Sequence, residues 1–151
     1  MSSATTPKTI ELSGHGIQRE AIALDVITPG MLIERAPGGV QPHGTAGGVA
    51  GPTFAVESGM TGGTIDTDYE VDENVFFKTY AQGSAVYALL INGAGQVTAE
   101  GTKLSSNGDG TLKVAAATEV VVAEALEVLD NDPGTGPARV RVEVLTAYKL
   151  A

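Results

Sequence analysis

Chemistry in this chain has few places to come from: two histidines, a run of carboxylates and several glycine-rich stretches. There is no cysteine, which rules out disulfides and thiolate metal sites. His15 and His43 both lie among glycines and open no catalytic motif, neither a Gly-x-Ser-x-Gly elbow nor His-Glu-x-x-His. Glu57, Asp66, Asp68, Glu70, Asp72 and Glu73 follow one another with no Lys or Arg between them. Carboxylates are calcium ligands, but this spacing lacks the glycine at the sixth position and the glutamate at the twelfth that an EF-hand loop needs. Solvated acids on an exposed face are the expectation. Gly44-Thr45-Ala46-Gly47-Gly48 has no Lys-Ser/Thr behind it and no helix, so it is not a phosphate cradle. Acid–base catalysis needs one carboxyl in an apolar site, and these sit in polar contexts. The residues therefore predict no enzyme, no cofactor and no metal, with each histidine a turn or interface residue.

The elements around these residues read as short strands. Ala23 to Glu34 is two apolar segments joined at Thr28-Pro29-Gly30, where Pro presets one turn dihedral and Gly takes the positive φ of a type II turn. Ala36 to Pro52 holds six glycines and three prolines and reads as a long loop, usually a sign of function or disorder. Phe54 to Glu57 is a strand, and Gly59 to Gly63 a turn. From Ile65 to Phe77 the acids alternate with Ile65, Thr67, Tyr69 and Val71, which predicts an extended segment with one wet side. Val75-Phe76-Phe77 and Ala85 to Ile91 should supply the centre of the core. Asn92 to Gly95, Asn107 to Gly110 and Asp130 to Gly134 read as hairpin connections. Thr118 to Leu129 mixes helix and strand formers. Its strictly alternating neighbour, Ala138 to Val144, favours a hairpin that sets Arg139 and Arg141 against Glu124 or Glu127.

At 151 residues the chain suits one domain. Glycine-rich turns, no Trp and 5% aromatics predict a core of small branched side chains and an all-β class. Net charge is 9 − 18 = −9, which repels nucleic acid and keeps a crowded protein soluble. No run is apolar enough to span a bilayer and Met1 to Pro7 lacks a signal peptide's pattern, so the expectation is a soluble protein with no membrane partner, made in a cytosol. Residues 1–20 carry little apolar content and read as an extended arm ahead of a domain over 21–151. Within the arm, Lys8 to Leu12 alternates, so that it either adds to a neighbour's sheet edge or is a frayed terminus or an edge strand of its own domain.

Taken in order, Ile27 to Glu34, the His43 loop, Phe54 to Glu57, Gly63 to Asp66 with Tyr69, Val86 to Leu90, Gly101 to Leu112 and Ala138 to Val144 resemble the head decoration, or cement, proteins of tailed bacteriophages. The resemblance runs from about residue 8 onward. It implies a small antiparallel β-barrel or β-tulip that trimerises on the outer capsid surface at threefold and quasi-threefold sites. There it would bridge major capsid protein subunits of the expanded head, after synthesis in the bacterial cytoplasm. It also implies an N-terminal arm that reaches the shell, with Lys8, Ile10, Leu12 and His15 as candidate capsid contacts. The rival readings are a virion-displayed module that binds glycan or receptor through 36–52, and a trimeric hydrolase of the dUTPase type. The first would want exposed aromatic rings in that loop, which has none; the second would want a phosphate-gripping Ser/Gly/Arg set, and no run matches one.

Overall fold

Val140, Val142 and Val144 project to one side of a long alternating strand, and all three are buried in the structure, with the charged residues between them left nearer solvent. The computed structural model describes residues 6–151. Its strands are β1 (Glu11–Ser13), β2 (Gly16–Ile22), β3 (Ile33–Ala36), β4 (Gly39–Pro42), β5 (Thr53–Ala55), β6 (Asn74–Tyr80), β7 (Ala85–Leu90), β8 (Val97–Thr98), β9 (Lys103–Ser106), β10 (Leu112–Val114), β11 (Val120–Ala125), β12 (Leu129–Asp130) and β13 (Ala138–Lys149). The described helical content is one 3₁₀ turn at Gly59–Thr61. The chain is all-β, as its composition predicts. No helix among the described residues is long and apolar enough to cross a membrane.

The largest sheet runs β1-β7-β10-β9-β11-β13 and bends round until β13 pairs with β7, from Ala138↔Leu90 to Glu143↔Ala85. The ring so closed is narrow, and Ala88, Ala123 and Ala125 stand among Val86, Leu90, Leu104, Leu112, Val140 and Val142 in its filling. One seam departs from the antiparallel barrel expected: β10 meets β7 in parallel at Leu112↔Leu90. The β9–β10 hairpin arrives with β9 already committed to β11, so β10 can close the ring only in the direction of β7. A second sheet, β2-β6-β5, and the β3–β4 hairpin cover another core of Ala23, Ile27, Ile33, Val40, Ala55, Tyr69, Val75 and Phe77.

Several expectations are corrected. The Thr28–Met31 turn forms, with Gly30 at φ +98° and Met31 N–H donating to Thr28 O at 3.0 Å, but it does not make a hairpin. Ile27 pairs with Tyr69 and Leu32 with Phe54, so each flank bonds to a distant segment and not to the other. Within 36–52, Gly39–Pro42 is a strand folded back on β3. Residues 65–73 are turns rather than a strand: Ile65 and Tyr69 point inward while Thr67 and Val71 are exposed with the acids. Of the three supposed hairpins only Asn107 to Gly110 is one; the other two lead into β8 and out of β12, which pair with each other. Residues 120–125 are strand and pair with β13 as expected.

The arm is corrected from Ile10 onward; residues 1–5 lie outside the described residues. Ile10 is fully buried, its N–H donates to Glu57 Oε1 at 3.1 Å and its C=O accepts Tyr87 N–H at 2.8 Å. Burying one such side chain is worth about 1.5–3 kcal/mol, enough to hold a short segment against the body. Residues 16–22 form β2, paired along its length with β6, so no domain boundary falls at residue 20.

Arg139 joins the two halves. It donates to Pro29 O at 3.1 Å, to Ile65 O, and to Asp66 Oδ1 at 3.0 Å, with only 13% of its side chain exposed. Gly30 lies beneath it, where a Cβ would sit 2.9 Å from Tyr87 O. Arg139→Lys keeps the charge but cannot hold both carbonyls, so it should cost about 1–3 kcal/mol. Gly30→Ala should cost at least about 1 kcal/mol through its positive φ alone. Urea denaturation of both variants checks this, and unchanged midpoints would refute the clamp.

Candidate functional site

The four residues predicted as capsid contacts do not form one exposed ribbon. Ile10 is core. Leu12 is half-buried in β1, next to Glu11, which pairs with Lys78 at 2.8 Å. Lys8 and His15 are exposed at opposite ends of this stretch; His15 is tied by its backbone, N–H to Ser84 Oγ at 3.1 Å and C=O from Ala81 N–H at 2.9 Å. What the fold does bring together is Lys8, Glu11, Gln18 and Glu57 around three adjoining hollows. The first, about 340 Å³, is lined by Gln18, Glu57, Met60 and Phe76. The second, about 250 Å³, is lined by Thr9, Glu11, Gln18, Glu57 and Lys78. The third, about 640 Å³, runs between Pro7, Lys8, Glu57, Ile65 and Asp66. Glu57 is the wall common to all three. Tyr80 is buried, and burial first, then the charges of Glu11 and Glu57, raise its pKa. Sequence reading placed Glu57 among solvated acids; its role depends on residues 10 and 18 arriving beside it, which no local pattern announces.

The second polar cluster is built on His43, which is 2% exposed rather than in an open loop. Its Nδ1 lies 2.7 Å from Ser106 Oγ and its Nε2 2.8 Å from Val49 O. These contacts fit a proton on Nε2, donated to the Val49 carbonyl, with Nδ1 accepting the Ser106 O–H. Ser106 Oγ in turn accepts Gly108 N–H at 3.1 Å. A serine beside a histidine is the geometry of an activated nucleophile, yet Ser106 is fully buried and its oxygen is already engaged on both sides. The trio works as a fastener that holds 44–52 down on the β9–β10 hairpin. Glu34 supports it, 3.7 Å from Nε2 and accepting from Gln41 Nε2 at 2.9 Å and Gly44 N–H at 3.3 Å. His43 and Ser106 are far apart in sequence, and neither signals the other.

The remaining acids are placed as surface groups. Asp66, Asp68, Glu70, Asp72 and Glu73 are exposed, and among the described residues no three His, Cys, Asp or Glu side chains converge on a metal position. Arg141 pairs with Glu127 at 2.9 Å, as the alternation of β13 predicts, whereas Arg139 turns to Asp66 and Glu124 to Lys103. Two carboxyls titrate below their ordinary range. Burial pushes Asp109 up, but donation from Thr111 Oγ1–H and N–H outweighs it; for Glu119, burial is outweighed by Lys113 at 2.6 Å, Ala116 N–H and Ser105. Comparison with protein-family models and with curated proteins finds no match for this chain.

His43→Ala removes a partner from the buried Ser106 hydroxyl and from the part-buried Val49 carbonyl and should cost about 1–3 kcal/mol, with proteolytic cleavage appearing between residues 44 and 52. A variant that resists protease like the parent would count against the fastener. Asp109 and Glu119 have lower pKa values folded than unfolded, so they stabilise the protein above roughly pH 4 and that contribution is lost as pH falls below it. Urea midpoints between pH 7 and pH 3 should therefore drop for the parent and drop less steeply for Glu119→Gln, which starts lower; parallel curves would refute the assignment.

Proposed function

We propose that this chain is a capsid decoration, or cement, protein of a tailed bacteriophage. It binds the outer surface of the expanded head as trimers at threefold and quasi-threefold positions and bridges major capsid protein subunits. The sequence resemblance supplies the reading, and the observation that carries it further is the corner formed by β2 and the Glu57 hollows. There β2 is an edge strand exposed over Ile17 to Glu20, next to hollows walled by Glu57 and Lys8. An open edge offers main-chain hydrogen bonds to another protein. The buried state of His43 and Ser106 and the exposed state of the acidic run are consistent with a body whose work is adhesion. A net charge of −9 suits an exterior position away from packaged DNA.

Mechanically, a pressurised shell is strained where capsomers meet, and a ligand bound across a junction favours the closed arrangement by mass action. Three linked copies turn weak single contacts into tight binding through effective concentration. The deciding experiment incubates purified protein with expanded, undecorated heads and maps bound density by cryo-EM. Saturation at threefold positions, with raised heat resistance of the decorated heads, is expected. Absence of density on heads, or binding to host cells or glycans in its place, would overturn the reading.

A further inference from the structure

The outer edge of β2 differs from the rest of the surface. Side chains of a strand alternate between faces, yet Ile17, Gln18, Arg19 and Glu20 are all exposed, so both faces are open as well as the edge. Among the described residues no strand pairs with it on the side away from β6 over Ile17 to Glu20; β4 covers only its end, where Gly39 lies against Ile22 O and Leu24 N–H donates to Val40 O at 2.8 Å. The register with β6 sets Gln18 against Lys78 and Glu20 against Phe76. That face borders the hollow of about 340 Å³ lined by Gln18, Glu57, Met60 and Phe76, in which Met60 is 90% exposed. The hollow joins the apolar side chains of Met60 and Phe76 to the polar Gln18 and Ser58 and to one carboxylate, Glu57. Glu57 accepts Ile10 N–H, and among the described residues no Lys or Arg pairs with it; Lys78 on the same face is held by Glu11.

From this we infer that β2 receives an extended segment of a different protein as an added strand, and that the segment carries a lysine or arginine over the Glu57 hollow. Such a side chain lays its methylenes on Phe76 and Met60 and brings its charge to Glu57. A short side chain could not reach: an added strand lies about 4.8 Å beyond β2, and Glu57, which follows β5, lies on the far side of β6 from it. A second copy of β2 is a poor occupant. Two antiparallel strands related by a twofold pair residues of equal parity, which sets Arg19 against Arg19, or Glu20 against Glu20, or, centred on Gln18, Ile17 against Arg19; centred on Ile17 or Ala21, only three residues of each β2 overlap. Like charges directly opposite destabilise the first two registers, and the third sets an apolar side chain against a charge. On the decoration reading, and resting on it for this point alone, the segment belongs to a shell subunit.

The test titrates isotope-labelled full-length protein with two short blocked peptides, one alternating lysine with valine and one alternating glutamate with valine, and follows backbone NMR shifts. Saturable shifts confined to Gly16–Ala21, Glu57, Met60 and Phe76 are expected for the lysine peptide alone. Glu57→Gln, which keeps an acceptor for Ile10 N–H, should weaken that binding about two- to fivefold. Successive N–H groups of a strand point to opposite edges, so of Gln18→Pro and Arg19→Pro, the variant that keeps parental stability should abolish it. No shifts, equal response to both peptides, or dimerisation through β2 without peptide would overturn the inference. Heads decorated equally by the parent and by these variants would likewise remove β2 while leaving the cement reading intact. Heads that stay bare while the lysine peptide still binds would remove the cement reading and support the edge.

Discussion

The pairing of β7 with β13 is the constraint on which the rest of this molecule depends. It closes the ring, and it places Arg139 at the end of β13 where its guanidinium reaches the Pro29 carbonyl of the first turn and the Ile65 carbonyl of the acidic segment. Two loops far apart in sequence are thereby fixed to the barrel through one side chain. Burying a guanidinium is costly unless its donors are used. Here two carbonyls and Asp66 use most of them, with Nε left unpartnered against Gly30. The arrangement is tight enough that Gly30 has no room for a side chain.

Against that rigid centre the two ends of polar chemistry contrast. His43 and Ser106 satisfy one another in the interior and present nothing to solvent, so the pair that most resembles a catalytic device holds a loop in place. Glu57 and the β2 edge do the reverse: a carboxylate with no cationic partner among the described residues and a strand whose faces and edge are open among those same residues lie together at the surface. Fully satisfied groups stabilise a fold, whereas unsatisfied ones at a surface are where a partner can add something. The proposed adhesive role and the proposed strand-receiving edge both draw on this contrast.

Much of the fold was legible. The valines of 140–144 alternate without a break, and they are buried as that pattern requires. Asn107-Gly108-Asp109-Gly110 forms its hairpin because αL-tolerant residues sit where the turn demands them. Thr28-Pro29-Gly30 forms its turn for the same reason. The pattern failed where a local signal had two global solutions. The turn at Pro29 suits a hairpin but here sends its flanks to separate partners, Tyr69 and Phe54, and the alternation of 65–73 describes charge spacing on turns that a strand would have shown equally. Ile10 and Leu12 alone look too sparse for a core element, and what fixes Ile10 is Glu57 and Tyr87, far along the chain.

The amino-acid sequence by itself determined the class of the protein, since branched aliphatics in short runs between glycines and prolines bury well only in sheets, and it determined the acidic exterior, since nine excess negative charges have nowhere to go but the surface. Which strands meet, and therefore that Arg139 clamps two loops, that His43 finds Ser106 and that β2 is left with an open edge, was decided only by tertiary structure. Period and turn type are local properties of a chain; strand order and closure depend on contacts between residues tens of positions apart, which no local pattern encodes.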